Sequence, residues 1–167
     1  MNLPITDLTP EAFAPFGTVI RQPESAAEAT GAGWRWWSEV ALVPPVDRAY
    51  AVGYLRLEPA PLQVDWAERH LRSTETIIPL DGSCLIHVGP PGDAPAWERV
   101  AVFRVRPGEG VILSEGVWHG APLALDRPLA ALVLLRQGTG AEDVEKVVRA
   151  EGPMSIAADT AVHNEGK

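Results

Sequence analysis

Glu68-Arg69-His70-Leu71-Arg72-Ser73-Thr74-Glu75 is the stretch that decides the fold. Just upstream, Leu62, Val64 and Trp66 alternate with Gln63 and Asp65, the two-residue period of a half-buried strand. Continued in register, that period turns Glu68 and His70 inward and Arg69 outward. Residues 74–80 read as the next strand, closed by the turn pair Asp81-Gly82. Glu75 then re-enters beside His70 from a neighbouring strand. A second spaced pattern, Gly108-x5-Ser114-x-Gly116-x2-His119, brings another imidazole from a distant part of the chain. Imidazoles and carboxylates that converge from several strands can hold a metal ion or move protons near neutral pH.

The flanks carry the same short period. Residues 18–20, Tyr50–Leu57, 83–88, 97–106 and Gly110–Leu113 read as strands separated by Gly and Pro. Gly82 between residues 74–80 and 83–88 suggests a hairpin. Leu129–Arg136 is apolar on both parities, the pattern of a strand buried on both sides. A short helix is expected at the N-terminus. Thr9 is its cap, Pro10 its first residue, Glu11 complements the dipole, Phe13 and Phe16 share a face, and Gly17 ends it. Residues 142–150, acidic early with Lys146 and Arg149 late, read as a second short helix. Roughly eight strands with little helix make an all-β sandwich or barrel. Residues 22–33 read as a mobile loop. Trp34, Trp36 and Trp37 follow it, either covering one end of the core or forming a dimer contact or pocket wall.

A chain of 167 residues suits one domain, taken as residues 1–159 with a disordered tail at 160–167. The formal net charge of −8, with no basic cluster, speaks against nucleic acid and anionic membrane as partners. No apolar run is long enough to span a bilayer, and no basic region precedes an apolar stretch in the first residues. A soluble cytoplasmic protein is expected. The one cysteine, Cys84, lies in an apolar run and reads as a small buried residue. His87 reads as a structural or surface histidine, and His163 falls in the tail.

The two spaced patterns resemble the signature motifs of the cupin superfamily. That resemblance implies an antiparallel β-barrel of the jelly-roll (double-stranded β-helix) type, with His70, Glu75 and His119 in its mouth. Glu68 stands where the first motif usually has a histidine, and Ser114 where the second usually has proline. The segment order also resembles the ureidoglycolate lyase family, itself cupin-like. The matching residues are Leu8 to Phe13, Phe16-Gly17, Glu68-Arg69-His70, Ile78-Pro79-Leu80, Gly116-Val117-Trp118-His119, Pro122-Leu123, Arg136 and Asp143-Val144-Glu145. The chain departs from the family pattern at three places. Glu75 replaces a usual Gln, Gly120 a second His, and Leu135 an Asp.

The resemblance implies cleavage of ureidoglycolate to glyoxylate and urea, in nitrogen recovery from purines. It assigns catalytic roles to His119, Glu75 and His70, and substrate contacts to Arg136 and Trp118. Arg136 would grip a carboxylate with its two-pronged guanidinium, or else be an exposed strand end. Trp118 would be a core or pocket-wall residue. A divalent metal (Ni, Zn, Mn or Fe), if bound, would take His70, Glu75 and His119, with Glu68 as a further ligand. Two other readings stay open. One is a different metal-dependent cupin enzyme, an oxygenase or isomerase acting on a small organic acid. The other is a non-catalytic cupin that binds a small molecule. The expected partners are a small-molecule substrate and a second copy of the chain in a homodimer, with the three Trp in the contact.

Overall fold

The alternating runs condense into two facing sheets. The computed structural model describes residues 2–157, so the tail expected from residue 160 lies outside the described residues. The first sheet has five strands in the spatial order Gly17–Ile20, Gly110–Leu113, Glu75–Pro79, Leu129–Arg136 and Tyr50–Leu57, all antiparallel to their neighbours. The larger sheet runs Glu145–Val148, Trp66–Arg69, Trp118–His119, Cys84–Gly89, Ala101–Val105 and Ile5–Asp7. Leu123–Ala124 also pairs with Cys84–Gly89. This is the jelly-roll arrangement expected of a cupin, as two packed sheets.

The core between them takes Val19, Leu57, Ile77, Val111, Leu113 and Leu129 from the first sheet. Cys84, Ile86, Val88, Phe103 and Val105 come from the second. The N-terminal helix, Pro10–Phe13, plugs one end. Thr9 caps it as expected, accepting from the Ala12 amide at 3.1 Å. Phe13 and Phe16 pack edge to face with each other and with Phe103, at 5.2 to 6.0 Å between centroids. A second core of Leu3, Val64, Leu85, Val102, Met154 and Ile156 lies on the far side of the larger sheet. A small sheet of Asn2–Leu3, Met154–Ile156 and Gln63–Val64 covers it. Cys84 is fully buried, and burial pushes its thiol pKa up to about 12, which makes it inert.

Several local expectations change. Residues 62–70 form two strands in different sheets, Gln63–Val64 and Trp66–Arg69. The chain bends at Asp65, whose carbonyl accepts from the Arg149 amide at 2.7 Å. Residues 74–80 and 83–88 make no hairpin, because Glu75–Pro79 and Cys84–Gly89 belong to opposite sheets. The turn at 81–82 is therefore a corner, held where the Asp81 carboxylate accepts from the Ala130 amide at 2.8 Å. Residues 97–106 begin as a 3-10 turn, Trp97–Arg99, before the strand Ala101–Val105.

The second helix is only Thr139–Glu142, and Glu145–Val148 is a strand. Its valines suit a strand, and it supplies the missing neighbour of Trp66–Arg69. There the Lys146 amine lies 3.8 Å over the Trp66 ring. Trp34 and Trp36 cover no core. They stand 53% and 59% exposed on a hairpin of Ala29–Gly31 and Trp34–Trp36. The strand buried on both sides is Cys84–Gly89 rather than Leu129–Arg136, whose Leu132 and Leu134 are half-covered beside exposed Val52 and Tyr54. No helix among the described residues is long and apolar enough to cross a membrane.

Gly17 marks the tightest approach in the first sheet. Its φ is +151°, and a Cβ there would lie 1.8 Å from the Ile112 carbonyl oxygen. Backbone cannot yield as a side-chain tip can. Gly17→Ala is expected to destabilise the fold by about 3 kcal/mol, read as a lowered midpoint in urea unfolding with an unchanged slope.

Candidate active site

The cross-strand register builds the site. His119 pairs with Val88 on one side and Glu68 on the other, so these three side chains share the face that looks into the core between the sheets. His70 lies two residues on from Glu68, just past the end of the same strand. Glu75 opens its strand in the facing sheet, opposite Leu113. The three residues singled out by spacing therefore meet. His70 Nε2 lies 3.1 Å and His119 Nε2 3.0 Å from one atom, Glu75 Oε2. The rings stand edge to face with centroids 5.2 Å apart. All three residues are buried.

The other ring nitrogens fix the proton positions. His70 Nδ1 is 2.7 Å from the Asp143 carbonyl, and His119 Nδ1 is 2.9 Å from the Val117 carbonyl. A carbonyl only accepts, so each Nδ1 carries a proton and each Nε2 presents its second valence to Glu75. A neutral ring so pinned offers Glu75 a lone pair. A protonated ring offers it a charge-assisted N–H. The shared oxygen thus calls for a positive species on the Nε2 atoms, a proton or a metal ion.

The electrostatics follow from this. Burial alone would raise the Glu75 pKa, but the hydrogen bonds from His119 and His70 outweigh it and hold the carboxyl at about 2. Burial pushes His70 down, yet the Glu75 hydrogen bond, the Asp143 carbonyl and the nearby Glu75 and Glu68 charges carry it above its ordinary value.

Beside the cluster is a cavity of about 430 Å³. Its wall includes Glu68, Glu75 and Arg136, with apolar Leu55, Val133 and Leu135. Two other concavities lie about the tryptophan hairpin and contain no histidine. The cavity with the paired carboxylates is the one that carries chemistry. Glu68, His70 and His119 each place one ligand atom within 4.8 Å of the others, a donor set that can hold a metal ion. Glu75 Oε2 adds a carboxylate oxygen beside both imidazoles. Two imidazole nitrogens with carboxylate oxygens suit Zn, Ni, Mn or Fe.

Arg136 lines the cavity but its fork is in use. Nε donates to Asp47 Oδ1, Nη2 to Asp47 Oδ2 at 3.2 Å, and Nη1 to the Gln137 carbonyl at 3.3 Å and Glu142 at 3.5 Å. It is buried, not an exposed strand end. The Arg136 hydrogen bond, reinforced by Arg72, pulls the Asp47 carboxyl far below its ordinary value against the opposing effect of burial. Spacing alone did not reveal Asp47, which lies in an irregular loop.

Trp118 does not line the cavity. It pairs with Gly89, one residue out of step with His119, and so takes the opposite face of the sheet. There its indole donates to the Gly92 carbonyl at 2.9 Å, and the Arg69 guanidinium stacks 4.8 Å from its ring. Arg69 points outward as expected and pairs with Glu145 at 2.7 Å. His87 is buried on that same far face. Its Nε2 donates to the Trp66 carbonyl at 3.1 Å, and burial lowers its pKa to about 4, so it is neutral at pH 7. A Cβ on Gly120 would lie 2.2 Å from the His87 ring. The imidazole of His87 thus fills the space beside position 120, where the family pattern has a second histidine.

Comparisons with known proteins point to one family. A family model described as ureidoglycolate lyase matches residues 1–157. The ureidoglycolate lyase of Azotobacter vinelandii is 39% identical over 144 residues, covering 83% of this chain and 87% of that one. The ureidoglycolate lyase of Pseudomonas savastanoi pv. phaseolicola is 37% identical over 146 residues, covering 83% and 85%. Among solved structures, a dTDP sugar isomerase from Desulfovibrio desulfuricans is similar with a TM-score of 0.51 at 16% identity, over 81% of this chain and 87% of that one. That likeness concerns the fold alone.

The pKa directions set a stability window. Glu75, lowered from 4.5, stabilises the fold above that value and loses the effect as pH falls toward about 2. His70, raised from 6.5, stabilises the fold below that value and loses the effect as pH rises through its folded pKa. The stability difference between the wild type and Glu75→Gln is therefore expected to peak between about pH 4.5 and 6.5 and to shrink on both sides, as read by urea unfolding across pH.

Proposed function

The chain belongs to the ureidoglycolate lyase family, and from that premise we propose that it cleaves ureidoglycolate to glyoxylate and urea. The observation that carries the reading is the buried His70–Glu75–His119 cluster opening through Glu75 onto a cavity with an arginine in its wall. We assign the reaction to nitrogen recovery from purine-derived ureides, as the family resemblance implies. We keep the expected cytoplasmic setting as part of this reading.

The substrate is a carbinolamine, and its collapse needs two proton movements. The hydroxyl proton leaves as the carbon–oxygen double bond forms. The carbon–nitrogen bond breaks with its electron pair going to nitrogen, and that nitrogen gains a proton to complete urea. Protons are conserved overall, so one cluster can take the first and return the second. Both imidazoles share Glu75 Oε2, which leaves Oε1 clear of them. We assign Glu75 as the port at the cavity wall and His119 as the acid–base group that stores the proton at Nε2. His70 holds the opposite side of Glu75. Arg136 takes the substrate carboxylate, which exchanges with Asp47 in the guanidinium fork. Trp118 supports the site from behind by fixing the strand of His119. A divalent metal held by Glu68, His70 and His119 would take the place of that stored proton at the Nε2 atoms and acidify the substrate hydroxyl, leaving Glu75 to move the proton.

The expected homodimer finds its best surface on the outer face of the five-stranded sheet. Val52 and Tyr54 are exposed there beside half-covered Leu132, Leu134 and Ile78, and the Thr76 hydroxyl is buried without a partner among the described residues. No acidic residue lies among the outward positions of these strands, in a chain with net charge −8. Two anionic copies meet with least repulsion across such a face. The Trp34–Trp36 hairpin is exposed as well and adds to the contact we propose.

Two measurements test these statements. Urea release from racemic ureidoglycolate is expected above the spontaneous rate, with at least a hundredfold loss of kcat in His119→Ala; a wild type no faster than the buffer removes the lyase reading. Light scattering is expected to give a dimer mass, and Tyr54→Glu to give a monomer; a monomeric wild type removes the interface.

A further inference from the structure

Asp143 is engaged through every polar atom it has. Its amide donates to the Thr139 carbonyl at 2.9 Å, where the short helix ends. Its carboxylate spans two consecutive amides, Oδ1 accepting from Leu71 and Oδ2 from Arg72, both at 2.9 Å. Its carbonyl accepts from His70 Nδ1 at 2.7 Å. One residue, more than seventy positions downstream, thus grips the turn that follows His70 and the ring of His70 itself. The opposite side of that turn is held where the His70 carbonyl accepts from the Gly116 amide at 2.7 Å.

The two contacts on the His70 ring compete. The Glu75 carboxylate favours a proton on Nε2, since an N–H donated to a charged acceptor is the stronger bond. Left to Glu75 alone, a neutral ring would take the Nε2–H tautomer and lose its lone pair toward the site. The Asp143 carbonyl favours the opposite tautomer, with the proton on Nδ1. That carbonyl can hold its position only while its residue is anchored, and the two amide bonds to Leu71 and Arg72 are the anchor.

We propose that Asp143 is a positioning residue that fixes the Nδ1–H tautomer of His70, so that Nε2 is the atom at which His70 meets a proton or a metal ion. The inference deepens the lyase reading, on which its kinetic part rests. Asp143 touches no substrate and acts through His70. Outer contacts of this kind on a site histidine are worth about 10–100-fold in activity or affinity.

The test uses full-length protein labelled with 15N at histidine, read by long-range proton–nitrogen correlation at one pH where His70 is neutral. Wild type is expected to show His70 as the Nδ1–H form. Asp143→Ala is expected to shift it toward Nε2–H and to lower kcat roughly tenfold or more with KM changed less than about twofold. Asp143→Asn keeps one acceptor oxygen for one of the two amides and should fall between, which covers the case where the alanine variant folds poorly. Asp7→Asn, on an exposed ion pair with Arg106 at the far edge of the larger sheet, should leave the tautomer and kcat unchanged. An unchanged tautomer in both Asp143 variants overturns the proposal. So does a loss of activity that only follows the loss of folded protein. If wild type releases no urea, the lyase reading fails while the tautomer measurement still decides the role of Asp143.

Discussion

A single carboxylate oxygen, Glu75 Oε2, sits between two buried imidazole nitrogens, and the site is organised around what that demands. Its charge is sustained in a buried place only because both neighbours present positive or metal-binding nitrogen to it. Each imidazole is in turn pinned at Nδ1 by a backbone carbonyl that can only accept. The β-fold supplies this economically. The larger sheet brings Glu68, His70 and His119 to one face, and the facing sheet brings Glu75, so that His70, Glu75 and His119 are buried between the sheets.

The same constraint explains the residues around the cluster. Asp143 and Asp47 come from irregular segments and are fully committed, one to the turn after His70 and the other to Arg136. Arg136 is buried and neutralised by acids in the structure as it stands, so binding a substrate carboxylate there is an exchange of one anion for another. The Asp47 pair that is lost offsets part of what the new pair gains, so the exchange favours ligands whose carboxylate matches the reach of Asp47. On the far face of the sheet, Trp118, Arg69 and His87 lock the strands whose other sides bear the chemistry. A change at any of them would act on the site through strand position.

Much of the local structure was legible from residue order. Thr9-Pro10-Glu11 announced its helix, and Tyr50–Leu57, Gly110–Leu113 and Leu129–Arg136 have the bounds their apolar patterns suggest. The cupin-like patterns around His70, Glu75 and His119 anticipated the cluster through that resemblance, and the ureidoglycolate lyase resemblance held across residues 1–157. The failures share a cause. Residues 62–66 kept one alternation across a bend at Asp65, so a change of sheet left no mark on the period. Glu145–Val148 had a helix-like charge order, and the vacant edge of Trp66–Arg69 overrode it. Trp34 and Trp36 suggested burial by residue type, but nothing among the described residues folds over them.

What the order of residues determined by itself was the alphabet of the site and the class of the fold. Both rest on short-range physics, the period of a strand, the cap of a helix and the side to which alternate residues point. Tertiary structure decided the rest: that Trp118 faces away from His119, that Asp47 already fills the Arg136 fork, and that the Asp143 carbonyl chooses which nitrogen of His70 faces Glu75. Each of these depends on pairing between strands or loops far apart in the chain. A hydrogen bond at 2.7 Å between residues 70 and 143 has no signature in either local stretch, because its partners become neighbours only when the sheets close.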